Sequence, residues 1–105
     1  MEQPNLNYID QLCGEDHEFK KKMIAIIKKE LPLEIVAYHK SMEDQNYKHA
    51  AEHIHKLKHK ISLLGLEKNY YVAEELEYNL LTGMVKCQYE FETILKLMQS
   101  FVNEL

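Results

Sequence analysis

The sequence predicts an all-α protein, an antiparallel four-helix bundle with a short extra N-terminal helix. Three observations point there. Apolar residues recur at three- and four-residue spacing along most of the 105 residues. Only three Gly and two Pro interrupt that pattern, too few for a turn-rich β architecture. No stretch alternates apolar and polar residues for long enough to build a sheet. There is no internal repeat, low-complexity tract or linker, so residues 1–105 are read as one domain.

A short helix is expected over 5–13, with Leu6, Ile9, Leu12 and Cys13 on one side and Gly14 as its stop. Asp16 is a candidate N-cap for a second helix over 16–43. Phe19, Met23, Ile27, Leu31, Ile35, Tyr38 and Met42 give that helix an apolar stripe. Pro32 inside it predicts a kink near Glu30 and Leu31, because proline lacks a backbone donor and crowds the preceding turn. Asn46 is the candidate N-cap of a third helix over 47–64, ended by Gly65. A fourth helix over 67–82 turns Val72, Ala73, Leu76 and Leu80 inward, with Gly83 after its end. The fifth covers 85–103, where Phe91, Ile94, Leu95, Met98, Phe101 and Val102, with Leu105 just beyond, form a continuous apolar face. Short connections between helices of this length favour antiparallel packing. The methionines and tyrosines at helical spacing are read as core.

Composition narrows the function. The net charge of −4 argues against general nucleic-acid binding. Cys13 and Cys87 are too few for a disulfide framework and read as reduced thiols. The opening Met-Glu-Gln-Pro has neither the basic nor the apolar region of a signal peptide. No apolar run approaches the roughly 20 residues that span a bilayer. A soluble cytoplasmic protein is therefore expected, with no membrane partner and a monomer as the default.

The chemistry concentrates in the third helix, around His55-Lys56-Leu57-Lys58-His59-Lys60-Ile61-Ser62-Leu63-Leu64-Gly65-Leu66. At about 100° per residue, Ile54, Leu57, Ile61 and Leu64 share the buried side and His55 points away from it. Ser62 and Leu66 fall within about 20° of His55 in projection, with His59 one turn along and Lys58 flanking it. The exposed face thus reads His55, Lys58, His59, Ser62, Leu66, and Lys48, Lys56 and Lys60 add positive charge to the helix. A locally basic helix on an acidic chain suits an anionic ligand or partner. An imidazole in water titrates near about 6.5 and is largely neutral and nucleophilic at cellular pH. One ring nitrogen can attack phosphorus while an acceptor on the other fixes the tautomer and stabilises the cation that forms. Phosphoryl transfer needs positioning and charge neutralisation more than covalent help, so no acid–base dyad is required.

These residues carry a resemblance. His55, Leu57, Lys58 and Gly65, followed by Leu76-Glu77 in the next helix, resemble the signature of histidine-containing phosphotransfer (HPt) domains. The likeness extends over essentially the whole chain: a short first helix ending in Gly14, an acidic turn leading to Phe19, then four helices. The resemblance implies that His55 is the phosphoacceptor, that Lys58 supplies positive charge beside the phosphoryl group, and that Glu77 binds the other imidazole nitrogen. Glu77 equally fits an ordinary salt bridge. Gly65 would be the structural glycine after the active helix. The surface for a partner would include Ile9, Leu12, Ala51, His59, Ser62 and Leu66, with Leu66 alternatively a turn residue tucked into the core. The implied partners are response-regulator receiver domains and a hybrid histidine kinase. The implied activity is a phosphoryl carrier without autokinase activity, with no cofactor in this chain and Mg²⁺ held by the partner receiver. The chain departs from the family at His59, where glycine is usual. An imidazole there would either narrow access for the receiver or help to bind the phosphoryl group.

Two other functions compete. A catalytically silent helical bundle would bind a receiver or other protein through the Leu66 side. A His-rich metal-binding bundle would use His49 with His53 or His55 with His59, each pair four residues apart. The pairs point to different sides of the helix and cannot make one four-ligand site within it. No Gly-rich nucleotide cradle is present, so an autonomous kinase is not expected.

Overall fold

The computed structural model describes residues 2–105, and Met1 of the expected domain lies outside them. Five α-helices and no strand occur among the described residues: α1 (Asn7–Cys13), α2 (His17–Glu43), α3 (Tyr47–Leu63), α4 (Glu67–Leu81) and α5 (Gln88–Asn103). The all-helical class read from periodicity is the class the chain adopts. α1 lies on α2, α2 packs against α3 and α5, and α4 closes the ring by touching both α3 and α5.

Local chemistry sets the boundaries. The Asp16 carboxylate accepts from Phe19 N–H at 3.0 Å and starts α2. The Asn46 side chain accepts from His49 N–H at 3.3 Å and starts α3. Both are side-chain caps that satisfy a donor left over in the first turn. α4 has no cap of its own. Its free donors are met from the other end of the chain: the Glu2 carboxylate accepts from Lys68 N–H and Asn69 N–H at 3.0 Å, and the negative charge suits the helix N-terminus. Asn5 N–H donates to Leu64 O at 2.8 Å beside it. The N-terminal segment is thus strapped across the α3–α4 turn, a tie invisible to helical periodicity.

Several boundaries differ from expectation. α1 begins at Asn7 rather than 5, and α5 begins at Gln88 rather than 85. The segment after α4 is a turn instead, held by Asn79 Nδ2 donating to Lys86 O at 3.0 Å and by Met84 N–H donating to Asn79 O at 2.8 Å. Cys87, at φ 77°, ends it. α2 continues through Pro32 as a single helix; the proline deprives the Lys28 carbonyl of its donor without stopping the element.

The core draws on every helix. Ile9 and Cys13, Ile27 and Leu31, Ile54 and Leu57, Leu76 and Leu80, and Phe91 and Met98 join one buried cluster. Tyr38 meets Phe91 edge to face, ring centres 5.1 Å apart, and so joins α2 to α5. Phe19, expected in the α2 stripe, is exposed, and so is Leu12 of α1. The reading of tyrosines and methionines as core holds for Tyr38 and Met98 and fails for Tyr71, Tyr78, Tyr89 and Met84, which are exposed. No helix among the described residues is long and apolar enough to cross a membrane.

Candidate functional site

α3 turns Ile54, Leu57, Ile61 and Leu64 completely inward. The same 3.6-residue period lifts His55, His59 and Ser62 to the outside. His55 keeps 61% of its side chain in solvent, yet it is not loose: its Nδ1 lies 3.1 Å from Oε2 of Glu77. Glu77 follows Leu76, which anchors α4 in the core. One residue on, the side chain emerges at the edge of the α3–α4 crevice, only 20% exposed.

The second oxygen of Glu77 is also engaged. Oε1 is 2.7 Å from Nζ of Lys58, whose side chain is only 10% exposed. Expected to flank the outer face, Lys58 instead lays its aliphatic stem along the crevice between the two helices and delivers its ammonium to α4. A long apolar stem with a charged tip can do this without losing a partner. Glu74 Oε2 lies at 3.9 Å and the Tyr70 ring centre at 5.4 Å from the same nitrogen. Burial works against the Lys58 charge, but the hydrogen bond to Glu77 and the negative charges around it outweigh burial and hold the ammonium above the ordinary lysine range.

The result is a line of three groups across two helices: ammonium, carboxylate, imidazole. An ionised carboxylate only accepts, so the proton on His55 belongs on Nδ1 and the lone pair on Nε2. Among the described residues Nε2 has no hydrogen-bond partner. Glu77 thus lies within reach of both groups, Lys58 through Oε1 and His55 through Oε2.

Beside His55 runs a shallow groove of about 450 Å³, floored by Ala51 and walled by Lys48, Glu52, Lys56 and Leu81. Lys48 and Lys56 are its exposed cations. Lys60, expected to add exposed charge to the same helix, is buried and bridges to Glu30 at 2.9 Å and Glu34 at 3.4 Å on α2. Two of the helix's lysines are thus committed to internal carboxylates.

Three expected surface residues are not surface. Ile9 and Leu66 are fully buried and Ala51 nearly so. Ile9 is the residue by which α1 enters the core. The placement of Leu66 assumed that helical projection continued past the end of α3. The helix stops at Leu63, and Gly65 at φ 75° turns the chain so that the next side chain points inward. Ala51 touches the groove only as its floor. Leu12, His59 and Ser62 remain exposed. Leu81 was missed: it is 61% exposed in the His55 groove, and its place four residues after Glu77 on α4 was the available signal. Tyr8 and Tyr71, which border a second depression beside Ser62, carried no sequence signal of that kind.

Among the described residues no three His, Cys, Asp or Glu side chains gather as a metal site. Cys13 and Cys87 are free thiols. Compared with protein-family models, with curated proteins and with solved structures, the chain matches none.

Proposed function

We propose that this chain is a histidine phosphotransfer protein, an antiparallel four-helix bundle with a short N-terminal helix that shuttles a phosphoryl group between receiver-domain aspartates in a multistep relay. One observation carries the reading: a solvent-exposed imidazole held at Nδ1 by a carboxylate that a buried lysine holds in turn.

The chemistry follows from that line of groups. The Nε2 lone pair of His55 attacks the phosphorus of an aspartyl phosphate, forming a P–N bond as the P–O bond to the aspartate breaks. The electron pair leaves with the aspartate carboxylate. The imidazole becomes cationic, and Glu77, accepting from Nδ1–H, stabilises that cation without taking its proton. Delivery to a second receiver is the same exchange in reverse. Lys58 is a positioning residue, since its ammonium is spent on Glu77; Lys48 and Lys56 are the cations free to meet phosphoryl oxygens. Mg²⁺ belongs to the receiver, and this chain uses no nucleotide. The partners are receiver domains and a hybrid kinase, the compartment is the cytoplasm, and the carrier acts as a monomer.

Incubation with a phosphorylated receiver and magnesium tests this directly. Wild-type chain takes up an acid-labile, alkali-stable label; His55→Gln takes up none; His59→Gln still does. Label that persists in His55→Gln sinks the assignment, and a wild-type chain that binds the receiver without label is the silent bundle instead.

A further inference from the structure

His59 is left without a task by the phosphoryl chemistry. It lies one turn beyond His55 on the outer side of α3, exposed like its neighbour, and the two rings stand perpendicular with centres 5.7 Å apart. Two imidazoles sharing one metal at about 2.0–2.1 Å per nitrogen place their ring centres roughly 5–6 Å apart. The separation of the centres falls in that range, and turning the exposed His59 ring out of its edge-to-face contact is what the chelate requires.

Proton placement agrees. Glu77 keeps the His55 proton on Nδ1 and leaves Nε2 with its lone pair. Histidine ligands to metals commonly have this form, one nitrogen on the metal and the other donating to a carboxylate. Histidine-ring hydrogen bonds among the described residues belong to His39, His49 and His55, so both His59 nitrogens are open. The other pair at the same spacing, His49 and His53, is the contrast. The Asn46 amide donates to His49 Nδ1 at 3.1 Å, which uses that lone pair, and His53 is half-buried.

We propose that His55 and His59 chelate a first-row transition-metal dication, zinc or copper(II), with water completing its shell, and that occupancy closes the phosphoryl acceptor. The metal takes Nε2 of His55, the atom assigned above to the phosphoryl group. The regulatory half of the proposal rests on that reading; the chelate does not. Magnesium is excluded from the pair because it is a hard cation that seeks oxygen ligands, so the relay's own metal does not compete. Copper(II) binds more tightly than zinc.

Calorimetric titration of the full chain with zinc sulfate, copper(II) chloride and magnesium chloride tests the chelate. One zinc or copper per chain and no magnesium are expected. His55→Gln and His59→Gln each lower zinc affinity by at least about tenfold, since losing even an outer-shell partner costs that much, whereas His49→Gln leaves it unchanged. Zinc affinity untouched by His59→Gln, or lowered equally by His49→Gln, overturns the chelate. Label transfer at constant magnesium tests the block: zinc suppresses uptake by wild type, a zinc-selective chelator restores it, and His59→Gln, each rate compared with its own metal-free rate, takes up label equally with and without zinc. Equal suppression of His59→Gln places the zinc effect on the receiver and overturns the block. A metal-free wild type that takes no label overturns the phosphoryl reading, and the block with it, while the titration still decides the chelate.

Discussion

Glu77 has one carboxylate and two donor neighbours, the Lys58 ammonium and the His55 ring N–H, and each oxygen is committed to one of them. Removing it therefore does two separable things. His55 loses the acceptor that fixes its tautomer, and Lys58 is left as a buried ammonium with only the more distant Glu74 nearby. Glu77→Ala is expected to slow label uptake by about a hundredfold, the scale of a misplaced reacting group, with receiver affinity unchanged. It also lowers unfolding stability by roughly 1–3 kcal/mol for the charged hydrogen bond left unmade. Glu77→Gln keeps an acceptor oxygen and is milder in both. If Glu77→Ala transfers at the wild-type rate, the carboxylate orients nothing. The Lys58 shift adds a pH dependence. Its raised value means that the folded chain holds this proton more tightly than the unfolded chain. The contribution is complete below the ordinary lysine value of about 10.4 and is lost as pH rises through the folded value. Tyr38 acts in the same direction, because burial and then the charge of Glu92 push its phenol up. Urea midpoints should fall steeply above about pH 10, and less steeply in Lys58→Met. The motif letters made His55 and Glu77 legible in sequence. The inward turn of Lys58 was not, because a long side chain reports its Cα position in a helical projection and not where its tip finds a partner.

At the scale of elements, the turns decide what periodicity leaves open. Helical period located all five helices and the Asp16 and Asn46 caps, since both signals are local in the chain. It misplaced Leu66 and the start of α5 because a turn stabilised by distant or non-helical hydrogen bonds leaves no periodic trace. The α3–α4 turn shows how much one such position carries. Gly65 adopts φ 75°, and a Cβ there would sit 2.7 Å from the Asn5 side-chain amide. Gly65→Ala combines left-handed backbone strain with that clash and is expected to cost about 1–3 kcal/mol. Shortening Asn5 as well (Asn5→Ala) removes the clash but not the strain, so the double variant recovers only part of the loss. Full recovery in guanidinium unfolding would mean that the backbone conformation is not strained; no recovery would mean that Asn5 moves aside freely. The turn matters to the site because it sets how α4 lies against α3, and so where Glu77 meets His55.

For the molecule as a whole, support of the site and folding are one problem. The helices form a closed ring of contacts, α2–α3–α4–α5 and back to α2, around a single buried cluster to which α1 also contributes. No helix can leave without opening that cluster, so unfolding should be one cooperative transition. Leu76 is the sharpest probe. It is fully buried and lies next to Glu77 on α4. Leu76→Ala removes buried methyl groups and leaves a cavity, a loss of about 2–5 kcal/mol. If the cluster is one unit, far-UV ellipticity, which follows the helices, and near-UV ellipticity, which follows fixed aromatic packing such as the Tyr38–Phe91 contact, shift to a lower denaturant midpoint together. Label uptake by the variant, measured well below that midpoint, should then stay close to wild type, because the ammonium–carboxylate–imidazole line depends on polar contacts that the cavity does not break. Separate midpoints would show α4 detaching as its own unit. In that case uptake should fall along with the earlier transition, since a detached α4 takes Glu77 away from His55.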